Sequence, residues 1–117
     1  DSFYGGGGNT WRLMHEIPSD TNPVFIPSYN DTDTGIGGDG ADALSLITAG
    51  VSRLYVKSDG NVGIGTDSPA RTLHVNDYMR LEPVADAPGT PSAGDIYFDS
   101  DDNKLKCYDG TSWQDCW

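Results

Sequence analysis

The stretch from Val51 to Pro69, VSRLYVKSDGNVGIGTDSP, constrains the fold more than any other part of the chain, because two short apolar segments flank an Asp-Gly turn. Arg53 to Lys57 has the β-branched and aromatic content of a strand. Ser58-Asp59-Gly60-Asn61 tolerates positive φ at a tight turn, and Val62 to Thr66 returns antiparallel. A two-residue turn at Asp59-Gly60 predicts that Lys57 faces Val62, Val56 faces Gly63, Tyr55 faces Ile64 and Leu54 faces Gly65. One face of the hairpin then carries Leu54, Val56 and two glycines and is half bare. Glycine weakens a strand unless something must approach the backbone, so Gly63 and Gly65 point to another chain or a neighbouring layer; a tight turn explains them equally well.

Composition narrows the fold class independently. Of 117 residues only 36% are hydrophobic, while 15 are glycine and 7 proline, which suits short strands joined by turns rather than a helical core. The expectation is a mainly β chain of antiparallel hairpins and a meander, in one domain or two small modules. A chain this short buries a modest fraction of its surface when alone, and oligomerisation compensates for that. A formal charge of -11, from 18 acidic and 7 basic residues, argues against nucleic acid, whose binding depends on cationic side chains. No run of about 20 apolar residues is present to span a membrane, and no signal-peptide pattern is seen. The sequence begins at Asp1, as a processed chain or a fragment does.

Residues 1–28 read as an arm with four glycines, Gly5 to Gly8, followed by a short strand. Within it Thr10 to Ile17 fits a short helix or a strand, and Val24-Phe25-Ile26 is a strand bracketed by Pro23 and Pro27. Residues 29–81 form the hairpin module. There Ala41 to Thr48 packs against the Arg53 to Lys57 strand through an Ala49-Gly50 bend, and Thr72 to Val75 adds a further strand before Tyr78 to Leu81 begins a second module. Residues 82–94, EPVADAPGTPSAG, read as an extended connector and a module boundary. Residues 95–117 read as a three-stranded meander of Asp95 to Asp99, Lys104 to Tyr108 and Ser112 to Trp117. Ile96, Phe98, Leu105 and Cys107 are expected on its buried side, with Tyr97, Tyr108, Trp113 and Trp117 outside it.

The segment from Thr34 to Val75 resembles the "TGI … L … G … R … GNVGIGT-SP … L-V" pattern of bacteriophage tail-fibre modules found ahead of the self-cleaving intramolecular chaperone of trimeric fibres. Gly60, Asn61, Val62, Gly63, Ile64, Gly65 and Thr66, with Ser68 and Pro69, carry the most distinctive part. The run from Gly94 to Trp113 is similar to a second module of phage and other surface fibres. The resemblance implies an elongated, homotrimeric, β-rich fibre in which residues 60–65 act as an assembly motif. The chaperone itself is not contained in this sequence, so no self-cleavage is implied.

Candidate chemistry is sparse. Asp31, Asp33, Asp39 and Asp42 lie in a glycine-rich loop of the kind calcium prefers, but Ile36 occupies the EF-hand's glycine position and Asp42 its bidentate glutamate position. A plain turn-rich loop is favoured over calcium, and no other cofactor is expected. Asp99, Asp101 and Asp102 are read as turn caps. Gly35-Ile36-Gly37-Gly38 lacks the helix and the Lys-Ser/Thr of a phosphate loop. His15 and His74 are far apart, Glu16 and Glu82 are the only glutamates, and no nucleophile context surrounds any serine, so the expectation is a protein that is not an enzyme. Cys107 and Cys116 suit a disulfide, although a two-residue loop at Asp109-Gly110 puts Cys107 opposite Ser112 and pairing then needs a longer loop or a bulge. That disulfide points to an extracellular setting.

Taken together, these features lead to an expectation of a structural module of an extracellular or virion fibre, with copies of itself as the main partner. Two alternatives stand beside it. One is a subunit of a cellular filament, pilus-like appendage or adhesin. The other is a glycan-binding tip, with Tyr108, Trp113 and Trp117 stacking on cell-surface sugars.

Overall fold

The computed structural model describes residues 12–13, 19–28, 30–38 and 42–117. The Gly5–Gly8 arm, His15, Glu16 and Asp39 lie outside them. The secondary structure of the described residues is strand without helix, in agreement with the mainly β expectation. The chain divides into two compact units, Asp1–Tyr78 and Met79–Trp117. Residues 82–94 accordingly lie within the second unit.

The first unit is one seven-stranded sheet in chain order: β1 (Arg12–Leu13), β2 (Phe25–Ile26), β3 (Gly35–Gly37), β4 (Leu44–Thr48), β5 (Val51–Val56), β6 (Val62–Ile64) and β7 (Leu73–Val75). Pairing is antiparallel as far as β6, and β7 runs parallel to β6. The Ala49-Gly50 bend joins β4 to β5 with both residues at positive φ, 51° and 65°, the geometry whose twist matches a hairpin. Between β4 and β5 the register shifts at Leu46/Ile47, and Arg53 is the extra residue. The guanidinium of Arg53 donates to Thr48 Oγ1 at 2.7 Å.

The β5–β6 hairpin corrects the predicted register by one residue. Leu54 faces Ile64, Tyr55 faces Gly63 and Val56 faces Val62. The loop has three residues rather than two: Gly60 N–H donates to the Lys57 carbonyl at 2.8 Å, and Lys57 N–H donates to the Asn61 carbonyl at 2.9 Å. Gly60 at φ 87° supplies the left-handed residue that follows the first turn in such loops. Asp59 fixes the loop by accepting from Asn61 N–H at 3.0 Å and from Lys57 Nζ at 2.9 Å. Because side chains alternate with a period of two, this single extra residue exchanges the two faces of β6.

The unit buries its small-residue side. Ile26, Ser45, Ile47, Tyr55, Pro23, Gly37 and Gly63 are all buried. Segment 19–23 lies across it, and a Cβ on Gly37 would stand 2.6 Å from the Ser19 carbonyl and 2.9 Å from the Asn22 carbonyl. The buried Ser45 hydroxyl is satisfied by Ser52 at 3.1 Å.

The second unit is a meander of β8 (Ile96–Asp99), β9 (Lys104–Tyr108) and β10 (Trp113–Asp115), in the order β10-β9-β8. Val84 extends it at the outer edge of β8, donating its N–H to Phe98 and accepting from Ser100, each at 3.0 Å. Asp99 caps the β8–β9 turn as expected, with Oδ1 accepting from Asp101 N–H at 2.9 Å and Asp102 N–H at 3.1 Å. In the β9–β10 hairpin, Tyr108 pairs with Trp113 and Cys107 with Gln114, so the loop is longer than the two residues first considered. Cys116 is then the diagonal neighbour of Cys107 on the same face. The two form a disulfide with their Cα atoms 5.8 Å apart, and no bulge is needed.

The expected sidedness of this meander is corrected too. Ile96, Phe98, Leu105 and Cys107 do share one face, but Ile96 is 47% exposed whereas Tyr97, expected outside, is 8% exposed. The cause is a set of polar groups that bind one another. Tyr97 Oη donates to Asp99 Oδ2 at 2.9 Å, and the Tyr97 ring meets Trp113 edge to face with centroids 4.7 Å apart.

Candidate functional site

The register of the first sheet places two rows of apolar residues on the face opposite the buried one. Phe25, Ile36, Leu46, Leu54, Ile64 and Val75 are successive cross-strand neighbours from β2 to β7. Leu44, Val56, Val62 and Leu73 make a second row from β4 to β7. Cross-strand partners project from the same side of a sheet, so the ten residues form one apolar face. At normal strand spacing the longer row spans about 24 Å, with about 7 Å to the second row.

This face is open to solvent. Leu44, Leu46 and Leu73 are 46%, 43% and 59% exposed, and Ile36 and Ile64 are exposed as well; Ile47, the residue after Leu46, is 2% exposed. Phe25, Leu54, Val56, Val62 and Val75 are half-buried against their neighbours. An apolar face of several hundred Å² is the mark of an interaction surface rather than of ordinary monomer chemistry. The sequence carries a signal for it in the triplets Leu44-Ser45-Leu46, Leu54-Tyr55-Val56 and Val62-Gly63-Ile64, where aliphatics flank a residue of the opposite face. Which face is covered by the chain itself is not written in those triplets.

The assembly-motif residues divide between this face and a tight connection. Val62 and Ile64 belong to the apolar rows. Gly63 is approached by its own chain rather than by another, since a Cβ there would lie 2.2 Å from the Thr66 carbonyl. Gly65, at φ 70°, turns the chain out of β6. Ser68 N–H donates to Thr66 Oγ1 at 3.2 Å, Asn61 Nδ2 reaches the buried Pro69's carbonyl at 3.5 Å, and Val62 N–H donates to the Thr72 carbonyl at 2.8 Å. Parallel strands usually need a dozen or more residues between them; here Gly65 to Thr72 suffices. The glycines and the Asn-to-Pro contact thus bring β7 alongside β6 and lengthen the apolar rows by one strand.

The other candidates are placed as follows. Asp33 N–H donates to Asp31 Oδ1 at 3.3 Å. A side-chain hydrogen bond between Asp31 and Asp33 holds the Asp31 carboxyl below its ordinary value and pushes that of Asp33 up. No group of three or more metal-binding side chains is gathered among the described residues. Tyr108 and Trp113 come together with ring centroids 5.2 Å apart, and Trp117 is 69% exposed. Beside them Lys106 pairs with Asp102 and Asp115, and Lys104 also pairs with Asp115. Hydrogen bonds donated by Lys104 and Lys106 hold the Asp115 carboxyl low, and the Asp102 and Asp115 carboxylates that accept from Lys106 push its ammonium up. Sequence reading did not find this ion-pair group, whose members are separated along the chain and meet only through the strand register.

Comparison with protein-family models, curated proteins and solved structures returns no match. No described helix is long and apolar enough to cross a membrane.

Proposed function

We propose that this chain is a structural module of an extracellular or virion fibre that works by associating with copies of itself. The observation that carries the reading is the outward apolar face of the first sheet. A sheet is a single layer, and a stable domain needs a second layer over each apolar face. The tail-fibre resemblance of residues 34–75 supports the same reading and suggests a trimer. The disulfide suits an oxidising, extracellular setting.

Light scattering coupled to size exclusion, with electron microscopy of the same fractions, tests the proposal. A discrete trimer of the 12.5 kDa chain is expected. Long polymers would favour the filament or adhesin subunit, and a monomer at every concentration would overturn self-assembly. A second role in attachment is favoured by the Tyr108–Trp113 pair and the exposed Trp117. It predicts saturable binding of surface oligosaccharides that weakens in Trp117→Ala.

A further inference from the structure

We propose that the contact between copies is made sheet to sheet through the two aliphatic rows of the first unit, with Leu46 and Leu54 at its centre, and that the occupant of this face is a second copy of the same chain. This rests on the fibre reading and deepens it by locating the contact.

Three features select a second copy. The first is charge. The chain carries a net -11, so copies repel wherever carboxylates face each other, and a self-contact is favoured where there are none. None of the ten row residues is ionisable. Arg53 stands at the margin of the face, its guanidinium bonded to Thr48 Oγ1 on the same side, and the rows bring no carboxylate against their own copies. The second is extent. A patch about 24 Å long and two rows wide, with half-exposed leucines and isoleucines, together with its rim has the few-hundred-Å² scale of an apolar patch that marks an interaction site. The third is shape. Rows of β-branched and leucine side chains on one pleated sheet interdigitate with the corresponding rows of neighbouring copies, and three such sheets can turn these faces toward a common axis.

The second unit is the weaker candidate for this role. Its aliphatic face is narrower, spanning three strands, and Val84 already pairs along its edge. Met79, Leu81 and Pro83 line a hollow with Phe98 on that side.

The test compares two single variants of the full chain, Leu46→Glu and Ile96→Glu, by light scattering across a concentration series. Leu46→Glu is expected to reduce the assembly to single chains and to weaken association by about a hundredfold or more, the order expected for burying an unpaired carboxylate. Ile96→Glu is expected to keep the wild-type mass. An assembly that survives Leu46→Glu but is lost in Ile96→Glu overturns this location while leaving the fibre reading intact. A wild-type chain that is monomeric throughout overturns both. Should Leu46→Glu fail to fold, Leu46→Cys decides, with Thr111→Cys as control. Oxidative cross-linking of Leu46→Cys into covalent dimers, with none from Thr111→Cys, supports the contact; equal cross-linking of both overturns it.

Discussion

The two units solve the problem of stabilising a small sheet in opposite ways. The first closes one side with its own chain, laying residues 19–23 over Gly37 and Ile47, and leaves its aliphatic side open. The second ties its strands together on both sides, with a disulfide on one face and Tyr97, Asp99 and the Lys106 ion pairs on the other. The difference teaches where each unit obtains its stability. The first depends on burial and reserves apolar surface for association. The second depends on cross-links that act within one chain.

The largest effect that would sharpen this contrast is expected at adjacent residues of β4. Ile47→Ala should destabilise the first unit by about 3–4 kcal/mol at any protein concentration, because it empties a filled site. The cost of Leu46→Ala should instead grow with protein concentration, since it acts through association. Urea titrations at two concentrations measure both, and equal costs at both sites would break the distinction between the faces. Next in size, Gly63→Ala should cost about 2–3 kcal/mol, because the new methyl meets the Thr66 carbonyl. Hydrogen exchange should show protection lost first at Val62 and Asn76, whose N–H groups bond across the β6–β7 pair.

Removing the disulfide by the double substitution Cys107→Ala/Cys116→Ala should cost the second unit about 2–3 kcal/mol, as expected for closing a short loop. Fluorescence of Trp113 against urea reports it, and an unchanged midpoint would mean that the ion pairs alone hold β10. The smallest effect is electrostatic. Backbone donors hold the Asp99 and Asp109 carboxyls low, as the lysines hold Asp115. A depressed carboxylate contributes stability above its unfolded value near pH 4 that is lost as pH falls through the folded value. The second unit's urea midpoint should therefore drop below about pH 4. The first unit should respond less, since the lowered Asp31 and Asp59 are opposed by the raised Asp33.

Most strands and turns were legible in the sequence because their signals are local; β3 (Gly35–Gly37) was not, since its Gly-Ile-Gly sequence within a turn-rich stretch lacks a β-branched and aromatic run and becomes a strand only between β2 and β4. Asp59-Gly60, Ala49-Gly50 and Asp109-Gly110 mark turns, and the strands between them fall where β-branched and aromatic residues cluster. The faces were not legible for a physical reason. Strand sidedness is a parity, and a loop of three residues instead of two at Ser58–Gly60 inverts it. Likewise Tyr97 looked like a surface aromatic because Trp113, which packs on its ring, lies two turns further along the chain, and a tyrosine whose hydroxyl is satisfied by Asp99 packs as well as an aliphatic residue. The outward apolar face was therefore present in the sequence as alternation, but its direction was set by contacts that only the fold supplies.

The order of strands in the first sheet carries one more consequence. Each strand from β1 to β7 pairs only with its neighbours in the chain, so every contact in the sheet can form as soon as the next short segment arrives. Such a layer assembles from one end, like a zip fastener, without waiting for a distant strand. A chain built this way needs no other copy to complete the backbone pairing of its first sheet, so a copy that joins it can meet a finished surface rather than an unfolded one.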